Sequence, residues 1–491
     1  MRICYICAEY APYAKTGGLG DVAAALTAEL TRAGHEVLSV LPLHGQIDLR
    51  GARVEGVEAL QRLALTIGAR EFVYDVKRAT RPGTPAAVHL VDCPALFDRP
   101  ELYSDGPDEH LRYLMLTRAA LATCQRLGFS PDIVHCNDWH TAFAPLLLRS
   151  TYAWDRQIFG RTKSVFTIHN IGYQGTFGAE HVADLAPGVG RELLHQGDLV
   201  AGRINPMRHG VMYADAVTTV SPTYAREICT PAHGFGLDAD LRARGDAVVG
   251  ILNGVDYSVW NPATDPYLPH NYDHDDLSGK ALNKLALTDL LRLGGAAASP
   301  LIGMVTRLTS QKGIDLVMQV MPSLLETREL RLVALGDGEP RYERFFEDLQ
   351  WRFPGYAVFH AGYSEELAHF IEGAADMFLM PSYYEPSGLN QMYSLRYGTV
   401  PVVRRTGGLA DSVQHYDPES GEGTGIVFND FDAGGLGWAL DTALEWYEWP
   451  DLWGQIAANG MRQDFSWERA IGEYERLYAR LHAAAPSAAP A

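Results

Sequence analysis

Residues 2–34, RICYICAEYAPYAKTGGLGDVAAALTAELTRAG, hold the pattern from which the fold is read. RICYIC (2–7) is short and apolar on successive rather than alternate residues, as expected of a strand covered on both faces. Lys15-Thr16-Gly17-Gly18-Leu19-Gly20-Asp21 follows it and opens a helix over DVAAALTAELTRAG (21–34). A strand, a glycine-rich turn and a helix begin a βαβ unit, and the helix start presents backbone N–H groups to an anion. A glycine-rich helix start without a ligand is the alternative, and it leaves Lys15 unexplained.

Outward from this stretch the same alternation continues. EVLSVL (36–41), AVHLV (87–91), DIVHC (132–136), SVFTIH (164–169), AVTTV (216–220) and VVGIL (248–252) read as strands separated by helical patterns. The series restarts with LIGMV (301–305), RLVAL (331–335), AVFHA (357–361), MFLMP (377–381) and VPVVR (400–404). Between the two series, residues 253–276 are rich in Asn, Asp, Pro and Tyr and read as an extended surface connection. The expectation is α/β: two Rossmann-like, doubly wound parallel-sheet domains in tandem, 1–253 and 254–466, with a deep cleft between the carboxyl ends of their strands. A helix over 467–482 follows, and the low-complexity tail 483–491 is expected to be disordered.

At 491 residues the chain is too long for one core. Apolar residues at 47% and charged residues at 21% match ordinary globular usage and exclude a disordered or fibrous class. With 60 acidic against 41 basic side chains the net charge is −19, which repels nucleic acid and anionic membrane, so neither is expected as a partner. The first residues hold no apolar run long enough for a secretory segment, and no run of 18 apolar residues occurs, which places the chain in the cytoplasm. Six cysteines make no disulfide framework in so long a chain, and Cys4 and Cys7 point to opposite faces of their strand. The H-x(4)-H of His135 and His140, with Asp138 between, straddles a strand-to-helix break, so no metal site is predicted.

Gly18, Gly20 and Ala23 satisfy G-x-G-x-x-A, yet the second strand ends in Leu41-Pro42 with no carboxylate for a ribose, which argues against a dinucleotide cofactor. Only six lysines accompany 35 arginines, so a retained lysine points to a need for a compact ammonium, composition bias being the plainer explanation. In TRLTSQKGID, Arg307 and Lys312 follow a strand and precede a helix, where they would neutralise a diphosphate; a solvated surface pair is the alternative. Glu385-Pro386-Ser387-Gly388-Leu389-Asn390 follows MFLMPSYY, with Ser387 expected to cap the helix in LNQMYSLRYG (389–398). Thr406-Gly407-Gly408 repeats the strand–turn–helix arrangement. Asp138, His140, His169 and Asn170 fall at strand ends of the first half.

Taken in order, KTGGLGDV, HNIGYQG, YADAVTTVSPTYAREI, GILNGVDYSVWNPATDPYL, the pair Lys280 and Lys284, TRLTSQKGIDL, EPSGLNQMYSLRYGT and RRTGGLADSV resemble the bacterial glycogen synthase and plant starch synthase family, glycosyltransferase family 5. The resemblance implies a GT-B fold and retaining transfer of glucose from ADP-glucose to the non-reducing 4-hydroxyl of an α-1,4-glucan such as glycogen, without a metal or cofactor. It also implies residue roles: Lys15 with Gly17, Gly18 and Asp21 at the sugar nucleotide, Arg307 and Lys312 at the diphosphate, Glu385 holding the donor glucose with Ser387, Gly388 and Leu389, His169 against that sugar, and Thr406, Gly407 and Gly408 beside it. Asp138, Asn170 and Asn205 match polar positions around the substrates, and the helix over 467–482 would cross back to the first domain. Two motifs depart from the family pattern: Ser387 stands where E-P-C-G-L is usual, and INPMRHG carries Pro206 and Arg208 where INFLKAG is common. Tyr393 stands where an E-x(7)-E transferase of small acceptors would carry its second glutamate. An epimerase would need proton-abstracting groups at the sugar, a phosphorylase a pyridoxal-phosphate lysine, and a catalytically dead glucan-binding protein would have lost Lys15, Arg307, Lys312 or Glu385.

Overall fold

The computed structural model describes residues 1–295 and 298–483; the low-complexity tail from 484 onward lies outside them. Two compact units result, one of Met1–Ile251 joined by the chain from Trp467 onward, the other of Leu252–Ser466.

In the first unit the strands are β1 (Arg2–Ile6), β2 (Glu36–Pro42), β3 (Arg53–Gly56), β4 (Leu63–Ile67), β5 (Arg70–Thr80), β6 (Val88–Asp92), β7 (Ile133–Asn137), β8 (Lys163–Ile168), a two-residue ribbon β9 (Phe177–Gly178) and β10 (Arg203–Ile204), β11 (Ala216–Thr219) and β12 (Val248–Gly250). The main sheet runs β12-β11-β8-β7-β1-β2-β6-β5-β3, with β4 paired to β5. From β12 to β6 every pairing is parallel. The edge made of β5, β3 and β4 is antiparallel and adds three strands that the sequence reading lacks. These strands are half-buried, with Val73 exposed, so their side chains alternate instead of forming a continuous apolar run. Gly68, in the left-handed region, makes the tight β4–β5 turn.

Helix Gly18–Arg32 buries Leu19, Val22, Ala23, Leu26 and Leu30 on one face, at the spacing of a helix laid on a sheet. Helix Trp467–Ala483 does the same with Trp467, Ala470, Ile471, Tyr474, Leu477 and Tyr478 and packs into the core of the first unit. Its Tyr478 hydroxyl lies 2.7 Å from His135 Nδ1, which gives that fully buried imidazole a polar partner.

The second unit carries β13 (Leu301–Val305), β14 (Arg331–Gly336), β15 (Ala357–Ala361), β16 (Met377–Met380), β17 (Val400–Arg404) and β18 (Ile426–Phe428). All pair in parallel, in the order β15-β14-β13-β16-β17-β18. This is the 3-2-1-4-5-6 order of a doubly wound sheet, whose direction of winding reverses between β13 and β16. In the first unit the reversal falls between β1 and β7. Both crevices therefore open where the sequence places its candidate residues.

Candidate active site

At the end of β1 the chain turns back on itself, with Tyr10 N–H donating to Ala14 O and Ala11 N–H to Gly20 O, and this carries Lys15 to the start of helix Gly18–Arg32. Lys15 Nζ pairs with Asp21 Oδ1 at 2.9 Å, both side chains about a third exposed. The loop is held by a residue that sequence reading missed. Glu9, itself buried, accepts the Thr16 N–H (2.7 Å) and Gly17 N–H (3.2 Å) on Oε2, and the Thr16 hydroxyl (2.7 Å) and Tyr103 hydroxyl (2.6 Å) on Oε1. A carboxylate of the protein thus fills the place that the glycine-rich loop would offer an outside anion at Thr16 and Gly17. These bonds hold the backbone that follows Lys15. No spacing rule marks one glutamate six residues before a lysine.

Beyond β7, Asp138 lies at φ 52, and its Oδ1 accepts the N–H groups of His169 (2.7 Å) and Asn170 (3.3 Å). Burial raises its carboxyl from 3.8 to about 7, against the two backbone donors. Asp138 therefore shapes the turn after β8. His169 Nε2 lies 2.9 Å from Asn137 Oδ1, which also accepts the Tyr5 hydroxyl at 3.0 Å, so Nε2 carries the proton and Nδ1 keeps its lone pair. Burial lowers the imidazole to about 3, so it stays neutral through the physiological range. The side-chain oxygen of Asn170 closes a turn on the Gly172 N–H at 3.0 Å. Asn205 caps helix Pro206–Tyr213, accepting the Arg208 N–H at 3.0 Å and donating to Gln174 Oε1 at 2.5 Å. Its amide acts within the protein. Pro206 occupies the first helical position, where proline suits a helix, and Arg208 forks between Asp198 (3.0 Å) and Asp240 (2.9 Å). His140, partly stacked on Tyr103, has an unpartnered Nδ1 and belongs to a buried aromatic cluster.

In the second unit three segments converge, those after β13, β16 and β17. Arg307 is exposed, and among the described residues no hydrogen bond or ion pair engages its guanidinium. Lys312 ends a 3₁₀ turn, Ser310–Lys312, and its Nζ lies 2.6 Å from Glu385 Oε2, which also accepts the Ser382 hydroxyl at 3.0 Å. The pair is nearly buried, with side-chain exposures of 17% and 6%, so water does little to screen it. Tyr383 N–H donates to Gln311 O at 2.8 Å, and a Cβ on Gly313, at φ 71, would overlap the Pro381 carbonyl oxygen. Gly408 N–H donates to Glu385 O at 3.0 Å. A Cβ on Gly407, at φ 43, would overlap that same oxygen, and one on Gly408 would overlap Ser387 O. The T-G-G turn, with Thr406 fully buried, is therefore the clamp on the Glu385 loop.

Ser387 does not cap the following helix. The helix spans Asn390–Arg396 with Leu389 as its cap, while Ser387 Oγ donates to Gly388 O at 3.2 Å. Gly388 at φ 66 reverses the chain between them, which a serine cap placed for LNQMYSLRYG does not allow for. The Gln391 amide donates to the Ser387 and Gly388 carbonyls at 3.0 and 3.1 Å, and Asn390 Nδ2 ties the helix to Val305 O at 2.7 Å.

Comparison with known proteins agrees with this arrangement. Residues 2–243 match the family model of the starch synthase catalytic domain, and residues 294–459 that of glycosyl transferases group 1. The chain is 45% identical to a glycogen synthase of Anaeromyxobacter dehalogenans, over 98% of this chain and 100% of that one. It is 40% identical to a glycogen synthase of Streptococcus agalactiae, over 98% and 100%. Among solved structures, the catalytic domain of starch synthase IV from Arabidopsis thaliana, bound to ADP and acarbose, superposes with a TM-score of 0.91 at 35% identity, covering 98% of this chain and 99% of that one. A sucrose-phosphate synthase from Thermosynechococcus elongatus shares the fold alone, with a TM-score of 0.61 at 18% identity. On this full-length similarity and a GT-B-like pair of sheets, the chain belongs to the glycogen and starch synthase family, the glycosyltransferases that lengthen a glucan with glucose from ADP-glucose.

Proposed function

We propose that this chain transfers glucose from ADP-glucose to the non-reducing 4-hydroxyl of an α-1,4-glucan such as glycogen, with retention at the anomeric carbon, in the cytoplasm. In this reading the first domain, 1–253 with the helix over 467–482, serves the acceptor, and the second, 254–466, holds the donor. The observation that carries it is the nearly buried Lys312–Glu385 pair, with Arg307 unengaged among the described residues, at the crevice of a 3-2-1-4-5-6 sheet. That crevice is where such sheets bind nucleotides. The starch synthase relative bound to ADP and acarbose supports a nucleoside diphosphate on the donor side.

Each residue then has a physical role. As the C1–O bond to the diphosphate breaks, negative charge grows on the β-phosphate, and Arg307, Lys312 and Lys15 stabilise that charge more than the ground state. These cations supply the neutralisation for which other transferases use a divalent metal. Glu385, paired with Lys312, accepts hydroxyls of the donor glucose. Neutral His169 accepts a further sugar hydroxyl at Nδ1. In the first unit Asp21 orients Lys15 after Gly17 and Gly18 open the helix, and Asp138, Asn170 and Asn205 shape its turns; in the second, Ser387, Gly388, Leu389 and the 406–408 turn line the crevice.

A double displacement would need a second free carboxylate at the anomeric carbon. Glu385 is engaged by Lys312 and Ser382, Asp138 by two backbone amides and Glu9 by its loop. We therefore favour front-face displacement: the acceptor oxygen bonds to C1 as the diphosphate leaves, and the acceptor proton passes to the departing phosphate oxygen. Incubation with radiolabelled ADP-glucose and glycogen, then digestion with β-amylase, tests this. Label released as maltose is expected; label in a β-linked or low-molecular-weight product overturns the assignment.

A further inference from the structure

Away from the residues above, the first unit gathers two imidazoles and one carboxylate from segments about seventy residues apart. His110 lies in helix Glu109–Leu127, while His181 and Asp184 lie in the 3₁₀ helix Ala179–Asp184. A 3₁₀ helix has three residues per turn, so positions 181 and 184 eclipse on one face. Asp184 Oδ2 lies 3.0 Å from His110 Nε2 and 2.8 Å from His181 Nδ1, and the three atoms all fall within 4.8 Å of one another.

The surroundings fix this arrangement. Phe177 stacks on the His110 ring at 4.6 Å and 17°, and the two imidazole centroids are 4.4 Å apart. On the other side, Gly68 at φ 59 comes so close to Asp184 Oδ1 that a Cβ would overlap it. The carboxylate is thus shielded at Oδ1 and turned toward the histidines with Oδ2. His110 is almost wholly buried, whereas His181 is a third exposed and leaves a path to water.

We propose that His110, His181 and Asp184 form a zinc-class divalent-cation site, structural in character, which fastens the segment between β9 and β10 to helix Glu109–Leu127. Two imidazole nitrogens and one carboxylate oxygen suit zinc better than calcium or magnesium, which take oxygen ligands. Zinc at about 2.0–2.1 Å from each ligand, in tetrahedral geometry, sets the ligand atoms roughly 3.3 Å apart. The present 2.8 and 3.0 Å separations need to widen by a few tenths of an ångström, and the two ring nitrogens, within 4.8 Å of each other, need to settle at the same spacing. Each histidine shifts its proton to the other ring nitrogen on binding; that nitrogen of His181 lies 3.7 Å from Glu180. Water completes the coordination on the open side. The alternative is a His–Asp–His hydrogen-bonded cluster with no ion.

The test uses the full chain, stripped with a chelator, exchanged into chelator-free buffer at pH 7.5 and titrated with zinc against a competing indicator. One zinc per chain is expected, with Kd tighter than about 10 μM, weakened at least about tenfold in both His181→Ala and Asp184→Asn. His274→Ala, in the separate exposed trio Asp273-His274-Asp275, should leave that affinity unchanged. Proteolysis between β9 and β10 should slow on zinc loading, with kcat for glucan synthesis unchanged in EDTA. His181 is partly exposed, so its variant keeps the fold, and far-ultraviolet circular dichroism checks this. No site of that affinity, retention of zinc by either variant, or its loss in His274→Ala overturns the proposal.

Discussion

Replacing Glu9 separates a loop that presents Lys15 from one that merely lies near it. In Glu9→Ala, Thr16 loses two hydrogen bonds and Gly17 one, with partners at 2.7, 2.7 and 3.2 Å. Each charge-assisted bond contributes about 1.5–3 kcal/mol. Thr16 is exposed, however, so water takes over much of this. A net loss of about 2–3 kcal/mol in holding the loop remains, equivalent to about 30- to 150-fold. On the proposal that Lys15 acts on charge that grows in the transition state, the loss should appear in kcat as well as in kcat/KM for ADP-glucose at saturating glycogen.

Glu9→Gln keeps one oxygen for the two backbone donors, and the Thr16 and Tyr103 hydroxyls can rotate to accept from the new amide. Its loss should stay within about tenfold. The melting temperature of either variant should fall by only a few degrees, since the loop lies at the surface. If Glu9→Ala stays within threefold of the parent, or Glu9→Gln does as much damage as Glu9→Ala, the argument that Glu9 presents Lys15 is wrong.

Other perturbations give distinct signatures. Lys312→Met leaves Glu385 nearly buried without its cation, which should cost about 3–5 kcal/mol in stability by urea melts and more than about a hundredfold in kcat; a variant as stable as the parent would contradict the buried pairing. Asp138 titrates at about 7 in the folded protein against 3.8 unfolded, so the native state retains the proton longer, and stability is lost as pH rises from about 4 to 7. Asp138→Asn removes that loss, on the order of 4 kcal/mol at most, so the variant's advantage in urea melts should grow between pH 5 and pH 7.5; an unchanging difference refutes the burial argument. Gly407→Ala should displace the Glu385 loop and lower kcat by more than about a hundredfold, because a Cβ there overlaps the Glu385 carbonyl in a left-handed backbone. Ser387→Cys, which brings in the usual family residue, should alter kcat by less than about threefold, since among the described residues the side chain makes a single 3.2 Å bond, to the next carbonyl; a large change would give that hydroxyl a part in the chemistry.

The parallel strands were legible because burial on both faces demands successive apolar residues, and RICYI, LIGMV and VPVVR meet that demand. Strands β3, β4 and β5 were not, since half-exposed strands mix charges with apolar residues and their turn at Gly68-Ala69 lacks an Asn-Gly or Asp-Gly signal. β18 has three residues, too few for any period.

The candidate site divides in the same way. Arg307, Lys312 and Glu385 were singled out because strand ends of a doubly wound sheet are where ligands bind. That Lys312 and Glu385 pair, 73 positions apart, needs the strand order β13-β16, which no local pattern encodes. The amides of Thr16 and Gly17 read as an anion site until Glu9 is seen to fill it. Asn205 entered through the family resemblance alone, and its part as a helix cap was not read from the sequence.

The most direct test of the account measures nucleotide release and chain growth together. The enzyme is given ADP-glucose or UDP-glucose in EDTA, with and without glycogen, alongside Lys312→Met and Glu385→Gln. The account predicts primer-dependent ADP release equal to glucose incorporated, undiminished by EDTA and lost in both variants. Release without chain growth, growth that requires a divalent metal, or full activity in either variant would contradict it.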